Sequence, residues 1–120
     1  MNNVELGKKG EDEAVALLKK SGYKVLERNV RTRIGEIDVV ARDGQFLCFV
    51  EIKARTGTRF GLPEESVNRW KVRKLTLLAQ IYLKFRKLPE QAIRFDVVSV
   101  LFQPDAPTQT RIIRGAFTAS

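Results

Sequence analysis

Asp43-Gly44 stands between two runs rich in valine, isoleucine and phenylalanine, residues 36–42 and 45–54. Such a dipeptide between β-prone runs is a strong short-range signal for a two-residue hairpin. It commits the centre of the chain to an antiparallel strand pair. With Asp43-Gly44 as the turn, Arg42 faces Gln45, Val40 faces Leu47, Asp38 faces Phe49 and Glu36 faces Glu51. Side chains alternate along a strand, so Glu36, Asp38, Glu51 and Lys53 are expected on one face.

The rest of the chain supplies elements to pack around this pair. Gly7, Ala14, Leu17 and Leu18 recur at helical spacing, predicting a helix over 4–21 with Gly22 as its stop. Residues 23–30 read as a strand and 55–63, with two glycines and a proline, as a loop. A long amphipathic helix is expected from Pro63-Glu64-Glu65, whose proline and acids suit a first turn, to about Lys87. A strand over 92–102, a loop over 103–108 and a short edge strand over 111–117 complete the order α-β-β-β-α-β-β. That order reads as an α/β protein with a mixed β-sheet flanked by helices.

The 120 residues fit one domain, with a core over about 5–102 and a C-terminal extension over 103–120. No apolar run approaches the roughly 18 residues of a membrane helix, and the first residues lack a signal-peptide pattern. A cytoplasmic protein without membrane contact is expected.

Lysine and arginine number 22 against 14 acids, a net charge of +8 that favours a polyanionic partner, nucleic acid first. Cys48, the one cysteine, sits in an apolar run, the setting of a buried structural thiol. Histidine is absent. That excludes Ser-His-Asp and Cys-His catalysis and any histidine-ligated zinc. Hydrolytic chemistry would have to come from carboxylates, lysine, tyrosine and metal ions.

The carboxylates stand where packing would not choose them. Like charges facing each other destabilise a sheet, and burying them unpaired costs more. A hard divalent cation, Mg²⁺ or Mn²⁺, resolves both costs. The plainer reading is an exposed face on which Lys53 neutralises Glu51, but Val40, Leu47 and Phe49 on the same face imply cover. Two helical residues repeat the anomaly. Glu11 lies on the stripe of Gly7, Ala14 and Leu18, and Lys71 on that of Val67, Leu75, Leu78 and Tyr82. Singly, Glu11 reads as a first-turn acid and Lys71 as a snorkelling lysine. Together with the strand residues they read as one site.

Gly35-Glu36-Ile37-Asp38, Phe49-Val50-Glu51-Ile52-Lys53-Ala54-Arg55 and Arg94-Phe95-Asp96 resemble the YraN-like family of small bacterial proteins. Gly7-x-x-Gly10-Glu11-x-x-Ala14 and the stretch from Phe60-Gly61 to Lys71 fit it too. The resemblance covers about residues 5–102. That family is similar to the archaeal Holliday junction resolvases of the PD-(D/E)xK nuclease superfamily. It implies a restriction-endonuclease-like (resolvase-like) fold and a Mg²⁺- or Mn²⁺-dependent endonuclease acting on DNA, branched DNA included. By the same resemblance Asp38 and Glu51 are the metal carboxylates, Lys53 is the catalytic lysine and Glu11 is the helix glutamate. Ile37 replaces the usual proline. Glu36 and Lys71 belong to the YraN-like pattern and support the site from outside.

Arg31, Arg33, Arg55 and Arg59 on connections, and Arg69, Arg73 and Lys74 on the second helix, are the expected phosphate contacts. Lys84, Arg86 and Lys87 read as solvated charges. Trp70 reads as core, with base stacking the alternative. Resolvase relatives act as symmetric homodimers, and Val72, Leu77 and Ile81 form the candidate surface for one. Two other readings stay open: a non-catalytic nucleic-acid-binding module on a nuclease fold, and an assembly factor with a basic surface.

Overall fold

The hairpin that the sequence centres on is present, and the sheet grows from it. The computed structural model describes residues 2–57 and 68–118. Its elements are α1 (Asn3–Lys20), β1 (Lys24–Arg31), β2 (Glu36–Asp43), β3 (Phe46–Thr56), α2 (Arg69–Phe85), β4 (Ile93–Gln103) and β5 (Ala106–Phe117). This is the α-β-β-β-α-β-β order expected. The strands form one mixed sheet in the order β1-β2-β3-β4-β5. All neighbours are antiparallel except β3 and β4. That parallel pair needs a crossover, and α2 lies in it. The architecture is compatible with a resolvase-like fold.

Alternation along β3 distributes the core. Cys48 and Val50 pack with Ala14, Val15 and Leu18 of α1, whereas Leu47 and Phe49 pack with Leu75, Leu78 and Tyr82 of α2. The two helices therefore cover opposite faces of the sheet. Cys48 is a buried core thiol, as expected, and burial pushes it up to about 12. Gly10 marks the closest approach of α1, since a Cβ there would lie 2.6 Å from Ala54 Cβ. Among the described residues, no helix is long and apolar enough to cross a membrane.

Three local expectations are corrected. The hairpin pairs Asp43 with Phe46 and Arg42 with Leu47, so the turn is Gly44-Gln45. Arg94 and Arg114 hold the Asp43 carboxylate at 2.6 and 3.2 Å and keep it at the strand end. Gly44, with φ 58°, then takes the first central position, where type II′ turns place glycine. The shift is two residues, so partners change and faces do not.

Second, α2 begins at Arg69. Asn68 is extended and caps it by accepting the Lys71 N–H at 3.0 Å. The start expected at Pro63-Glu64-Glu65 lies outside the described residues. Third, β5 is a full strand rather than a short one. Gln103 pairs with Ala106, which makes Pro104-Asp105 a tight turn. Pro104 presets φ there, and Pro107 sits on an edge strand that tolerates a missing N–H.

Candidate functional site

The β2–β3 ladder ends at the pair Val39–Val50. Just beyond, Asp38 Oδ2 accepts the Ile52 N–H at 2.8 Å, so a side chain takes over where backbone pairing stops. The pleat breaks at the same place. Ile37 and Val40, three residues apart, both pack on the α2 side, while Val39 and Ala41 pack on the α1 side. Strict alternation forbids this, so the pleat is interrupted at Asp38, where the pair with Asn29 drops out of the β1–β2 ladder while the register on either side is unchanged. The expectation of one uninterrupted face for Glu36, Asp38, Glu51 and Lys53 is corrected accordingly.

Glu51, 5% exposed, points toward α2. Its Oε1 accepts from Lys71 Nζ at 3.0 Å and from Lys53 Nζ at 3.2 Å. Among the described residues Asp38 forms no ion pair of this kind. Burial, with repulsion from Glu51 and Glu36 added, pushes its carboxyl up to about 7 against the pull of the Ile52 N–H and Lys71.

A cavity of about 500 Å³ opens over Asp38, walled by Glu11, Asn29, Glu36, Lys53 and Arg55 among others. Glu11 is fixed there by Arg28 Nε and Asn29 Nδ2, both at 2.8 Å. Glu36 is exposed and lies 3.6 Å from Arg31. Arg55 Nε is buried and has no hydrogen-bond partner among the described residues. Glu11, Glu36, Asp38 and Lys53 thus border one space, with Glu51 linked to it through Lys53, and Lys71 supporting Glu51 from α2.

The other basic residues scatter. Arg31 and Arg33 line a separate groove with Ile34, Ile81 and Phe85. Arg69 and Arg73 are exposed on α2, and Arg59 lies outside the described residues. Trp70 is 65% exposed, so the expectation of core packing is corrected: α2 buries Leu75, Leu78 and Tyr82, and Trp70 falls off that stripe. Arg86 is not merely solvated, because it donates to Glu27 at 2.6 Å.

Sequence reasoning overlooked Arg28 and Asn29 as the clamp on Glu11. Asn29 carries φ 54° opposite the break at Asp38. Asparagine between two strand-like residues is the available signal, since it tolerates the left-handed region better than most residues. At the hairpin end of the sheet, Asp96 is fully buried and accepts from Tyr23 Oη at 2.6 Å, Arg94 at 2.8 Å and the Gly115 N–H at 2.9 Å. Burial alone would raise Asp96, but these donors hold it below the usual carboxylate range. Arg94 and Asp96 drew notice in the sequence only through the resemblance.

The donor chemistry suits a hard cation. Among the described residues, no group of three or more His, Cys, Asp or Glu side chains is arranged to hold a metal ion. Mg²⁺, however, keeps most of its waters and is commonly held by only one or two carboxylates. Asp38 and Glu51 supply two carboxylates, of which Glu51 is already paired with Lys53 and Lys71.

The sequence profile of "Uncharacterised protein family UPF0102" matches residues 10–100. The chain is similar to a UPF0102 protein of Dictyoglomus turgidum, 46% identical over 87% of this chain and 88% of that one. It is 43% identical to a UPF0102 protein of Clostridium kluyveri over 96% and 95% of the two chains. A Thermodesulfovibrio yellowstonii relative is 47% identical over 83% and 88%. The match takes in the later part of α1, all of α2 and the positions of Glu11, Asp38, Glu51, Lys53 and Lys71, and the chain belongs to the UPF0102, or YraN, family.

Proposed function

We propose that the chain is a Mg²⁺- or Mn²⁺-dependent endonuclease that hydrolyses phosphodiester bonds in DNA. The observation that carries this reading is the pair of close carboxylates, half-buried Asp38 and buried Glu51. They repel each other beside an open cavity into which Lys53 also faces. Asp38 and Glu51, with Glu11 at the cavity wall, would hold the ion. Bound there, it supplies positive charge to the scissile phosphate and lowers the pKa of the attacking water.

The protein's own groups do the rest. Asp38 is fixed by the Ile52 N–H, so its carboxylate needs no reorientation. Lys53 moves its ammonium from Glu51 toward the phosphate oxygens and stabilises the charge that builds there. Arg55, with a spare buried N–H, adds a donor on the same wall. Water oxygen bonds to phosphorus, the bond to the leaving oxygen breaks, and that oxygen takes up a proton.

A second reading keeps the DNA-binding surface without turnover. It is favoured by the two ammonium groups on Glu51 Oε1 and the two donors on Glu11, which already occupy both acids. Isothermal titration of Mn²⁺ and Mg²⁺ into wild type and Asp38→Ala, paired with cleavage of end-labelled branched, flapped and duplex DNA, separates the two. Metal binding and cleavage that both vanish in the variant support the nuclease. Metal binding without cleavage of any substrate leaves the binding module. If wild type binds neither ion with DNA present, the nuclease assignment fails.

A further inference from the structure

Trp70 is the only tryptophan, and two-thirds of it faces solvent. It stands on the first turn of α2, one residue before Lys71, whose ammonium reaches Glu51. Lys74, one helical turn on, places Nζ 5.1 Å from the indole centroid. The same lysine lies over Gly35, where an added Cβ would meet Lys74 Cε at 2.7 Å. Gly35 precedes Glu36, a wall of the acidic cavity. The indole, Lys74 and Gly35 are thus in sequence of contact, and Gly35 adjoins Glu36 at the rim of the candidate site. Arg69 and Arg73, one and three residues from Trp70 on α2, are exposed, and neither is ion-paired with a carboxylate among the described residues.

A flat π-surface with a lysine over it and exposed arginines one and three residues away matches a polyanion that offers π-faces of its own. Unpaired nucleotides do so, whereas an intact duplex keeps its base faces stacked inside and offers phosphates alone. An acidic peptide would satisfy the cations but leave the indole without a partner. We propose that Trp70 is a stacking platform for an unpaired base. Arg69, Arg73 and Lys74 hold the adjoining phosphates, and the DNA presented to the acidic site carries a single-stranded segment. The last clause rests on the nuclease reading; the platform itself needs no cleavage.

Because the chain has one tryptophan, its emission reports on that position alone. Wild type, Trp70→Ala and Trp70→Phe are titrated without divalent ions with a fluorescein-labelled oligothymidylate and with a blunt duplex, reading anisotropy. Tryptophan emission is read with unlabelled strands. Oligothymidylate quenches the emission to saturation and the duplex does not. Trp70→Ala weakens oligothymidylate binding about tenfold, the size expected for one lost base stack, while Trp70→Phe stays within about threefold. Duplex affinity changes less than about twofold in either variant.

Oligothymidylate binding with unchanged emission and full affinity in Trp70→Ala overturns the platform and leaves the nuclease reading intact. Absence of binding to either probe overturns it as well. Quenching in a protein that binds no metal leaves the platform standing and removes the nuclease.

Discussion

Lys71 Nζ lies 3.0 Å from Glu51 Oε1, so a cation on α2 neutralises an acid buried in the middle of the sheet. Lys53 approaches the same oxygen from within β3 at 3.2 Å. Removing one member of a buried pair strands the other, whereas removing both relieves the desolvation they shared. Lys71→Met should therefore cost about 1–2 kcal/mol, because Lys53 remains. Adding Glu51→Gln should recover most of that loss. Urea unfolding of the two single variants and the double variant checks the coupling; strictly additive losses would show that the pair is independent.

Asp38 makes the metal-free protein respond to pH in an unusual direction. Its folded carboxyl is pushed up to about 7 from an ordinary 3.8, chiefly by burial. The folded state thus binds this proton more tightly than the unfolded chain does, and stability declines as pH rises from about 4 to 7. Asp38→Asn keeps an acceptor for the Ile52 N–H and removes the titration. Its melting temperature should exceed that of wild type at pH 8 and converge with it near pH 4. A gain on the order of 2 kcal/mol is expected at the upper end.

Asp96 has the opposite sign. Its folded carboxyl is held below the ordinary range by Arg94, Tyr23 and the Gly115 N–H, despite its burial. The stabilisation is complete above the unfolded pKa and is lost as pH falls through the folded one. Asp96→Asn should cost roughly 2–4 kcal/mol at pH 7, with the gap narrowing in acid. Tyr23→Phe, which removes one donor and leaves Arg94, should cost about 1 kcal/mol. Denaturant unfolding at pH 7 and pH 3 measures both.

The order of elements was readable because periodicity and turn dipeptides report on local structure, and Asp43-Gly44 located the central hairpin within one position. Its register was misread because Arg94 and Arg114, distant in sequence, hold Asp43 at the strand end. The inward placement of Lys71 followed from its helical stripe. Trp70 was misplaced because hydrophobicity alone argues for burial, while the phase of α2 turns that position outward. The break at Asp38 was hidden for a different reason. Such a break depends on which backbone groups neighbouring strands leave unpaired, and one strand's sequence does not record that.

The approach of α1 to β3 gives a further test. A Cβ at Gly10 would stand 2.6 Å from Ala54 Cβ, and that contact seats the turn carrying Glu11 against the sheet. Gly10→Ala should cost about 1–2 kcal/mol net of the helix propensity it gains. Ala54→Gly in the same chain should relieve the clash, although glycine in a strand has its own cost. Recovery in the double variant, read by urea unfolding, locates the strain in that contact; no recovery places it elsewhere.

Asp38 serves the sheet through one oxygen atom and the proposed chemistry through its charge. The Ile52 N–H asks only for an acceptor, which an amide provides as well as an acid. A descendant that lost its reaction would thus pass most easily through asparagine at this position, keeping its architecture and shedding an unfavourable charge. Inheritance of the acid, against that easy exit, would be the mark of a protein still selected to do something with it.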